Sequence, residues 1–190
     1  MIKAILLAAG QSKRLKSENK LIKNFKNKAL INHSLQALLK SKVDKVVIVL
    51  GYQNKEVRKV IKNNKKNIFV LNKKFSLGMS SSINAGLKKI SKKDKGFIIV
   101  QSDMPFIKTS DINKIYNSIS KKRHLVHALK FKNKIGNPIG FDSSILTKFK
   151  RMKGDIGAKF MVKRLKNNTN FIKVLNKRVF KDFDLRKDFN

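Results

Sequence analysis

Four short stretches carry residue types suited to phosphate and metal chemistry. In the first, Ala8, Ala9 and Gly10 end an apolar run that includes Leu7, and the chain then turns basic, with Ser12, Arg14 and Lys20 close behind. Small residues let backbone amides approach a ligand closely. An arginine fork and a mobile ammonium suit the oxygens of a triphosphate. The stretch lacks both the phosphate-loop pattern ending in Gly-Lys-Ser/Thr and the three-glycine dinucleotide fingerprint, and an ordinary strand-to-helix turn has the same composition. In the second stretch, FIIVQSDMP, Asp103 stands at the tip of an apolar run with Pro105 behind it. A carboxylate there can hold Mg²⁺ against phosphate oxygens, or cap a turn. The third, GMSSSINAGL, sets Ser80, Ser81 and Ser82 after Gly78 at a helix head, as caps or as hydrogen-bond partners for a base or ribose. In the fourth, Asp182 and Asp184 flank Phe183, placed for metal binding, capping or charge balance.

These residues need elements to hold them. Apolar runs at 2–7, 45–50, 67–71 and 97–101 read as strands of a buried, largely parallel sheet, with weaker candidates at 125–129, 138–141 and 171–174. Amphipathic stretches lie between them: 34–39 running on towards Lys42, 55–61 with Val57, Val60 and Ile61 on one side, and the Ile83, Leu87, Ile90 series. The alternation predicts a three-layer α/β domain. Ligands in such sheets sit beyond the carboxyl ends of the strands, which is where Ala8–Gly10 and Asp103 fall. Residues 136–141, containing Asn137 and Pro138, and 154–158 read as compact glycine turns. In the latter, Gly154 and Asp155 resemble a capped helix start before Ile156, Phe160 and Val162. The lysine-rich stretches 62–66 and 92–95 read as solvated loops.

At 190 residues the chain predicts one domain, without an internal repeat or a Pro/Gly/Ser linker. No run reaches the length of a membrane span, and the apolar start reads as a first strand, not a leader; the expected location is the cytoplasm. The absence of cysteine excludes disulfides and thiolate chemistry, and three scattered histidines make a poor metal cage. The net charge of +35 suggests nucleic acid at first sight. However, only seven of the 46 basic residues are arginine, the lysines are spread along the chain, and aromatic-basic interleaving is missing. The charge therefore reads as a compositional bias towards lysine, with neither nucleic acid nor membrane as partner.

Taken in order, LAAGQSKRLKSENKLI, GMSSSINAGL, QSDMPFI, GNPIGF, GDIGAKFM and the terminal DFD resemble the molybdenum cofactor cytidylyltransferases, within the molybdopterin nucleotidyltransferases and related nucleoside triphosphate transferases. The resemblance spans almost the whole chain. It implies a Rossmann-like nucleotidyltransferase domain with a mostly parallel, mixed central sheet. It also implies transfer of CMP from CTP to the terminal phosphate of molybdenum-molybdopterin, releasing pyrophosphate, with a molybdenum hydroxylase as downstream partner. Carried over by position, Leu7, Ala8, Ala9, Gly10, Arg14 and Lys20 would cradle the triphosphate. Gly78, Ser80 and Ser81 would face base and ribose. Asp103 would hold Mg²⁺ with Asp184 or Asp182, while Asn137, Pro138, Gly154 and Asp155 would border the acceptor. Arg14, Lys20 and Asp103 would be the catalytic set, since attack on the α-phosphorus needs alignment and charge neutralisation but no protein nucleophile. Ala9 stands where guanylyltransferase relatives tend to carry Gly, which favours CTP over GTP by resemblance. The chain departs from the family pattern at Lys16, where Gly is usual, and at Leu185-Arg186-Lys187-Asp188, where Thr-Pro-Glu-Asp is usual. Transfer to another phosphorylated acceptor, use of GTP, or carriage of the cofactor without transfer are the alternatives to this expectation.

Overall fold

The computed structural model describes residues 1–12, 19–149 and 152–189. In chain order the strands and α-helices are β1 (Ile2–Ala8), β2 (Asn24–Phe25), β3 (Lys28–Ala29), α1 (Ile31–Leu39), β4 (Lys45–Leu50), α2 (Asn54–Lys59), β5 (Asn67–Leu71) and α3 (Met79–Leu87). There follow β6 (Gly96–Gln101), α4 (Thr109–Ser120), β7 (Val126–Phe131), β8 (Lys134–Asp142), α5 (Leu146–Phe149), α6 (Lys159–Arg164) and β9 (Thr169–Lys173). Seven strands form one sheet in the order β5-β4-β1-β6-β8-β7-β9. Only β8 runs against the rest: it pairs antiparallel with both β6 and β7, whereas the other ladders are parallel. This is the largely parallel sheet that the strand pattern predicts, and the mixed, Rossmann-like one that the family resemblance implies.

Side-chain alternation builds the three layers. On β1, Ile2, Ala4, Leu6 and Ala8 point to one face, where Leu35 and Leu38 of α1, Val57 of α2 and Ile112, Ile115 and Ile119 of α4 cover them. Ile5 and Ala9 point to the other, under Ile83 of α3, Phe149 of α5 and Met161 of α6. Both faces are buried, so the central strands are continuously apolar instead of alternating. That is why β1, β4 and β6 stand out in the sequence, whereas β7, β8 and β9 show only as weaker runs; the edge strand β5 is half-buried and is still read with its observed bounds.

Several expected elements differ in the structure. The 136–141 stretch is not a turn but part of β8, which contains the 138–141 strand candidate and extends it in both directions; its pairing with β7 shifts between Ala128 and Leu129, and Asn137-Pro138, a cis peptide, lies in that irregularity. Asp155 does not cap the helix that follows it: α6 starts at Lys159 after Ala158, and Asp155 serves α3 instead. Helix α4 and the β2–β3 hairpin go unmarked in the sequence, because α4 interrupts its three buried isoleucines with Asn, Lys, Tyr and Ser and the hairpin has only two residues per strand. The 92–95 segment is not wholly solvated, since Asp94 is buried and accepts from Lys3 Nζ at 2.8 Å and from Ser91 N–H at 2.8 Å. Burial works against the Asp94 charge, but these two hydrogen bonds outweigh it and hold its carboxyl below the usual range. Lys66, likewise read as loop, donates from Nζ to the carbonyls of Leu39 and Ser41 at the end of α1.

Candidate functional site

The carboxyl ends of β1 and β6 are neighbours, with Leu7 opposite Gln101, so the segments that follow them open into one cleft of about 580 Å³. Ser102 ties the two together. Its N–H and Oγ both donate to the Leu7 carbonyl, at 3.3 and 2.6 Å, while its own carbonyl accepts from Ser34 Oγ at 3.2 Å. Asp103 therefore leaves a fixed strand end. Across the cleft, Lys20 is set by its own neighbours: its N–H donates to Ser12 Oγ at 3.1 Å. Buried Asn19 accepts the Leu21 N–H at 3.0 Å and donates from Nδ2 to the Tyr52 carbonyl at 3.4 Å.

The third component comes from the far end of the chain. Phe183 is buried among Phe25, Phe106 and Phe189, with centroid distances of 4.7, 5.8 and 5.4 Å, and its N–H donates to the Asp103 carbonyl at 2.9 Å. This anchor brings the flanking Asp182 and Asp184 to the cleft. Lys20 Nζ lies 2.6 Å from Asp103 Oδ2 and 2.6 Å from Asp184 Oδ1. Burial opposes the Lys20 charge, but the Asp103 and Asp184 carboxylates prevail and raise its pKa above the usual lysine value. Asp103 is raised as well: burial penalises its charge beyond what Lys20 restores, and Asp182 and Asp184 add like charge.

The chemistry of a divalent cation fits here. Asp103 Oδ1 is buried and has no hydrogen-bond partner among the described residues, so the lone pairs of one carboxylate oxygen face a site already dense in negative charge. Among those residues no three histidine, cysteine or carboxylate side chains converge as ligands. Mg²⁺ suits such a sparse oxygen set, because it is commonly held by one or two carboxylates and completed by water and substrate phosphates.

Of the other expected site residues, Leu7, Ala9, Gly10, Gly78 and Asp155 line the cleft, and Ala8 is buried beside it at the end of β1. Arg14 lies outside the described residues. Ser80 Oγ donates to the Gly154 carbonyl at 2.7 Å, and Ser81 Oγ is 2.8 Å from each of the Lys74 and Gly78 carbonyls, so both hydroxyls fasten loops around the head of α3. Of these three serines it is Ser82, which receives a hydrogen bond from Asn72, that lines the cleft. Gly78 has φ +95°, and a Cβ on it would come within 2.7 Å of the Gly154 backbone; this close approach lets Asp155 Oδ1 accept the Met79 N–H at 3.2 Å. Asn137 and Pro138 do not line the cleft. They follow the last β6–β8 pair, Ile99 with Ile139, towards the carboxyl end of β6, and Asn137 Oδ1 is buried without a partner among the described residues.

Residues that the sequence reading did not single out complete the walls: Gln11, Phe75, Ser76, Met79, Gln101 and Ser102. Gln101 and Ser102 sit directly before Asp103, and position at the strand end was the available signal. Phe75 had no signal in its own neighbourhood.

Comparison with known proteins agrees with this architecture. The bifunctional protein GlmU of Clostridioides difficile is 27% identical over 155 residues, covering 81% of this chain and 32% of that protein. The Acanthamoeba polyphaga mimivirus protein named Probable UDP-N-acetylglucosamine pyrophosphorylase is 28% identical over 137 residues, covering 69% of this chain and 53% of that one. The chain thus spans about a third to a half of the length of these relatives. Among solved structures, Rv0371c of Mycobacterium tuberculosis superposes with a TM-score of 0.86 at 18% identity, over 99% of this chain and 95% of that one. A nucleotidyl transferase from Methanothermobacter gives 0.84 at 17%, over 100% and 94%. These likenesses are of fold. The family model of the MobA-like NTP transferase domain matches residues 4–169, nearly the whole of the sheet with Lys20 and Asp103 but not Asp182 and Asp184, and the chain belongs to that family.

Proposed function

We propose that this protein is a divalent-cation-dependent nucleotidyltransferase that moves CMP from CTP to the terminal phosphate of molybdenum-molybdopterin. The observation that carries this reading is the meeting of the Ala8–Gly10 corner, Lys20, Asp103 and Asp184 in one cleft. An acceptor phosphate oxygen attacks the α-phosphorus of the triphosphate; a new P–O bond forms, the α–β bridging bond breaks, and pyrophosphate leaves. The Ala8–Gly10 backbone admits the triphosphate closely, and Arg14 and Lys20 offset its charge. Ala9 and Gly10 leave room along the walls for base and ribose, with Gly78, Ser80 and Ser81 at the head of α3 beside them. Asp103, through its unpartnered Oδ1, and Asp184 would hold Mg²⁺, with Asp182 next to them. When bound, the ion would neutralise phosphate oxygens and orient the leaving group. Asp155, Gly154, Asn137 and Pro138 would border the acceptor, and the product would pass to a molybdenum hydroxylase.

The motif order favours CTP and molybdopterin. The mimivirus relative's name favours a second reading, in which UTP and an N-acetylglucosamine phosphate are the substrates. Pyrophosphate release decides between them: the protein with Mg²⁺ is offered CTP, GTP, ATP and UTP in turn, each with molybdenum-loaded molybdopterin or with N-acetylglucosamine 1-phosphate. Release only with CTP and the pterin is the expected result. Release with UTP and the sugar phosphate would keep the mechanism and overturn the substrates. Cofactor binding without any pyrophosphate would point to a carrier.

A further inference from the structure

Lys20 makes two ion pairs where the proposed chemistry needs at most one. Its Nζ is 2.6 Å from Asp103 Oδ2 and 2.6 Å from Asp184 Oδ1, and the three side chains are 14%, 17% and 33% exposed. The two carboxylates come from separate segments, Asp103 from mid-chain and Asp184 from near its end, one fixed by the β6 strand end and the other by buried Phe183. Held together without a cation, they would repel in a partly desolvated cleft. The ammonium supplies that cation. It uses one oxygen of each carboxylate, and Asp103 Oδ1 has no hydrogen-bond partner among the described residues.

We propose that Lys20 acts as a surrogate cation in the ligand-free protein. It bridges Asp103 and Asp184 in competition with a divalent cation, and an incoming triphosphate draws the ammonium away. This deepens the nucleotidyltransferase reading and rests on it for the triphosphate. A lysine suits the task physically: its charge sits at the end of a flexible four-carbon stem, so it can change partners by side-chain rotation without backbone motion. The consequence is coupling. While Lys20 neutralises the carboxylates, free metal binds weakly; once phosphate oxygens take the ammonium, the same carboxylates receive metal readily. Because binding free energies are linked, metal must tighten triphosphate binding by the same factor. The protein would thus avoid holding metal without nucleotide.

The test is Mn²⁺ binding to the nucleotide-free full chain, followed by the electron paramagnetic resonance signal of free Mn²⁺. Lys20→Met should bind Mn²⁺ about tenfold or more tightly than the wild type, within the usual span of such couplings, whereas Lys20→Arg, which keeps the charge, should not. Equal or weaker binding by a Lys20→Met protein whose melting transition remains cooperative would overturn the proposal. A second measurement needs no loss of the lysine. In lysine-selective ¹⁵N NMR of the wild type, the Lys20 ammonium signal, assigned by its disappearance in Lys20→Arg, should shift towards the exposed lysines as Mg²⁺ is added; a signal that stays in place up to saturating Mg²⁺ would overturn the proposal. The two readings separate cleanly. Tightened Mn²⁺ binding in a protein that never releases pyrophosphate upholds the competition and removes the enzyme. Pyrophosphate release with unchanged Mn²⁺ affinity does the reverse.

Discussion

At the scale of single residues, Asp103 and His127 illustrate two opposite uses of a buried titratable group. Asp103 is raised in pKa by burial and by Asp182 and Asp184, and is held in place by Lys20. Asp103→Asn keeps the shape and removes the charge. The expected outcome is a protein that melts cooperatively and has lost on the order of 10²–10³-fold in pyrophosphate release, the usual loss for a group that stabilises transition-state charge. Full activity in that variant would remove Asp103 from the mechanism. His127 is far from this chemistry. It is 1% exposed on β7, with Nδ1 2.7 Å from Ser118 Oγ, which in turn accepts from Asn170 Nδ2 at 2.7 Å. Burial lowers its pKa from 6.5 to about 4, outweighing a hydrogen bond with the His124 backbone that works the other way. The unfolded chain thus binds the proton first as pH falls. Stability should decline between pH 6.5 and about 4, with a slope of up to about 1.4 kcal/mol per pH unit from this residue. Urea midpoints measured across that range should show the decline, and His127→Gln should flatten it.

At the scale of elements, the cleft depends on two segments that pack on the main sheet from outside it. The terminal stretch is anchored by Phe183 in its aromatic cluster. Phe183→Ala should cost about 3–5 kcal/mol of stability. It should also lower kcat more than Phe183→Leu does at a temperature where both are folded, because Asp184 loses its placement. Denaturant melts and steady-state rates on both variants check this. The Gly154–Asp155 loop grips the head of α3 through the Met79 N–H, the Ser80 N–H and the Ser80 hydroxyl. Asp155→Ala should remove about 1 kcal/mol, the ordinary worth of a helix-cap interaction, read as a small drop in melting temperature. An unchanged melt would show that the loop holds α3 without its carboxylate.

At the scale of the whole molecule, +35 net charges on 190 residues dominate the solution behaviour. With 46 basic against 11 acidic side chains, most lysines cannot find a carboxylate. Self-repulsion therefore opposes compaction and is screened by salt. The melting temperature should rise between about 20 and 300 mM NaCl, within the range where the screening length falls below 10 Å; a falling one would mean that attractive pairs such as Lys3–Asp94 outweigh the repulsion. Among the described residues no helix is long and apolar enough to cross a membrane.

The central strands were legible because burial on both faces leaves a continuous apolar run, and that signal is local. The ends of those strands are legible for the same reason, and Ala8–Gly10 and Asp103 fall there. The edge strand β5 is legible with the same bounds and β7, β8 and β9 as weaker runs, while α4 and the true length of β8 are not, since their apolar residues are interrupted and their pairing is settled by neighbours distant in sequence. Asp155 shows the limit most plainly. Its place before an apolar series suggests a cap for α6, yet the close approach allowed at Gly78 hands it to α3. The types and order of the chemical residues are thus properties of the sequence alone. That Lys20 meets Asp184 across 164 residues of chain, with Asp103 beside them, is a property of the tertiary structure, because only the packing of Phe183 against the β2 hairpin and the β6 loop brings the chain's end to its beginning.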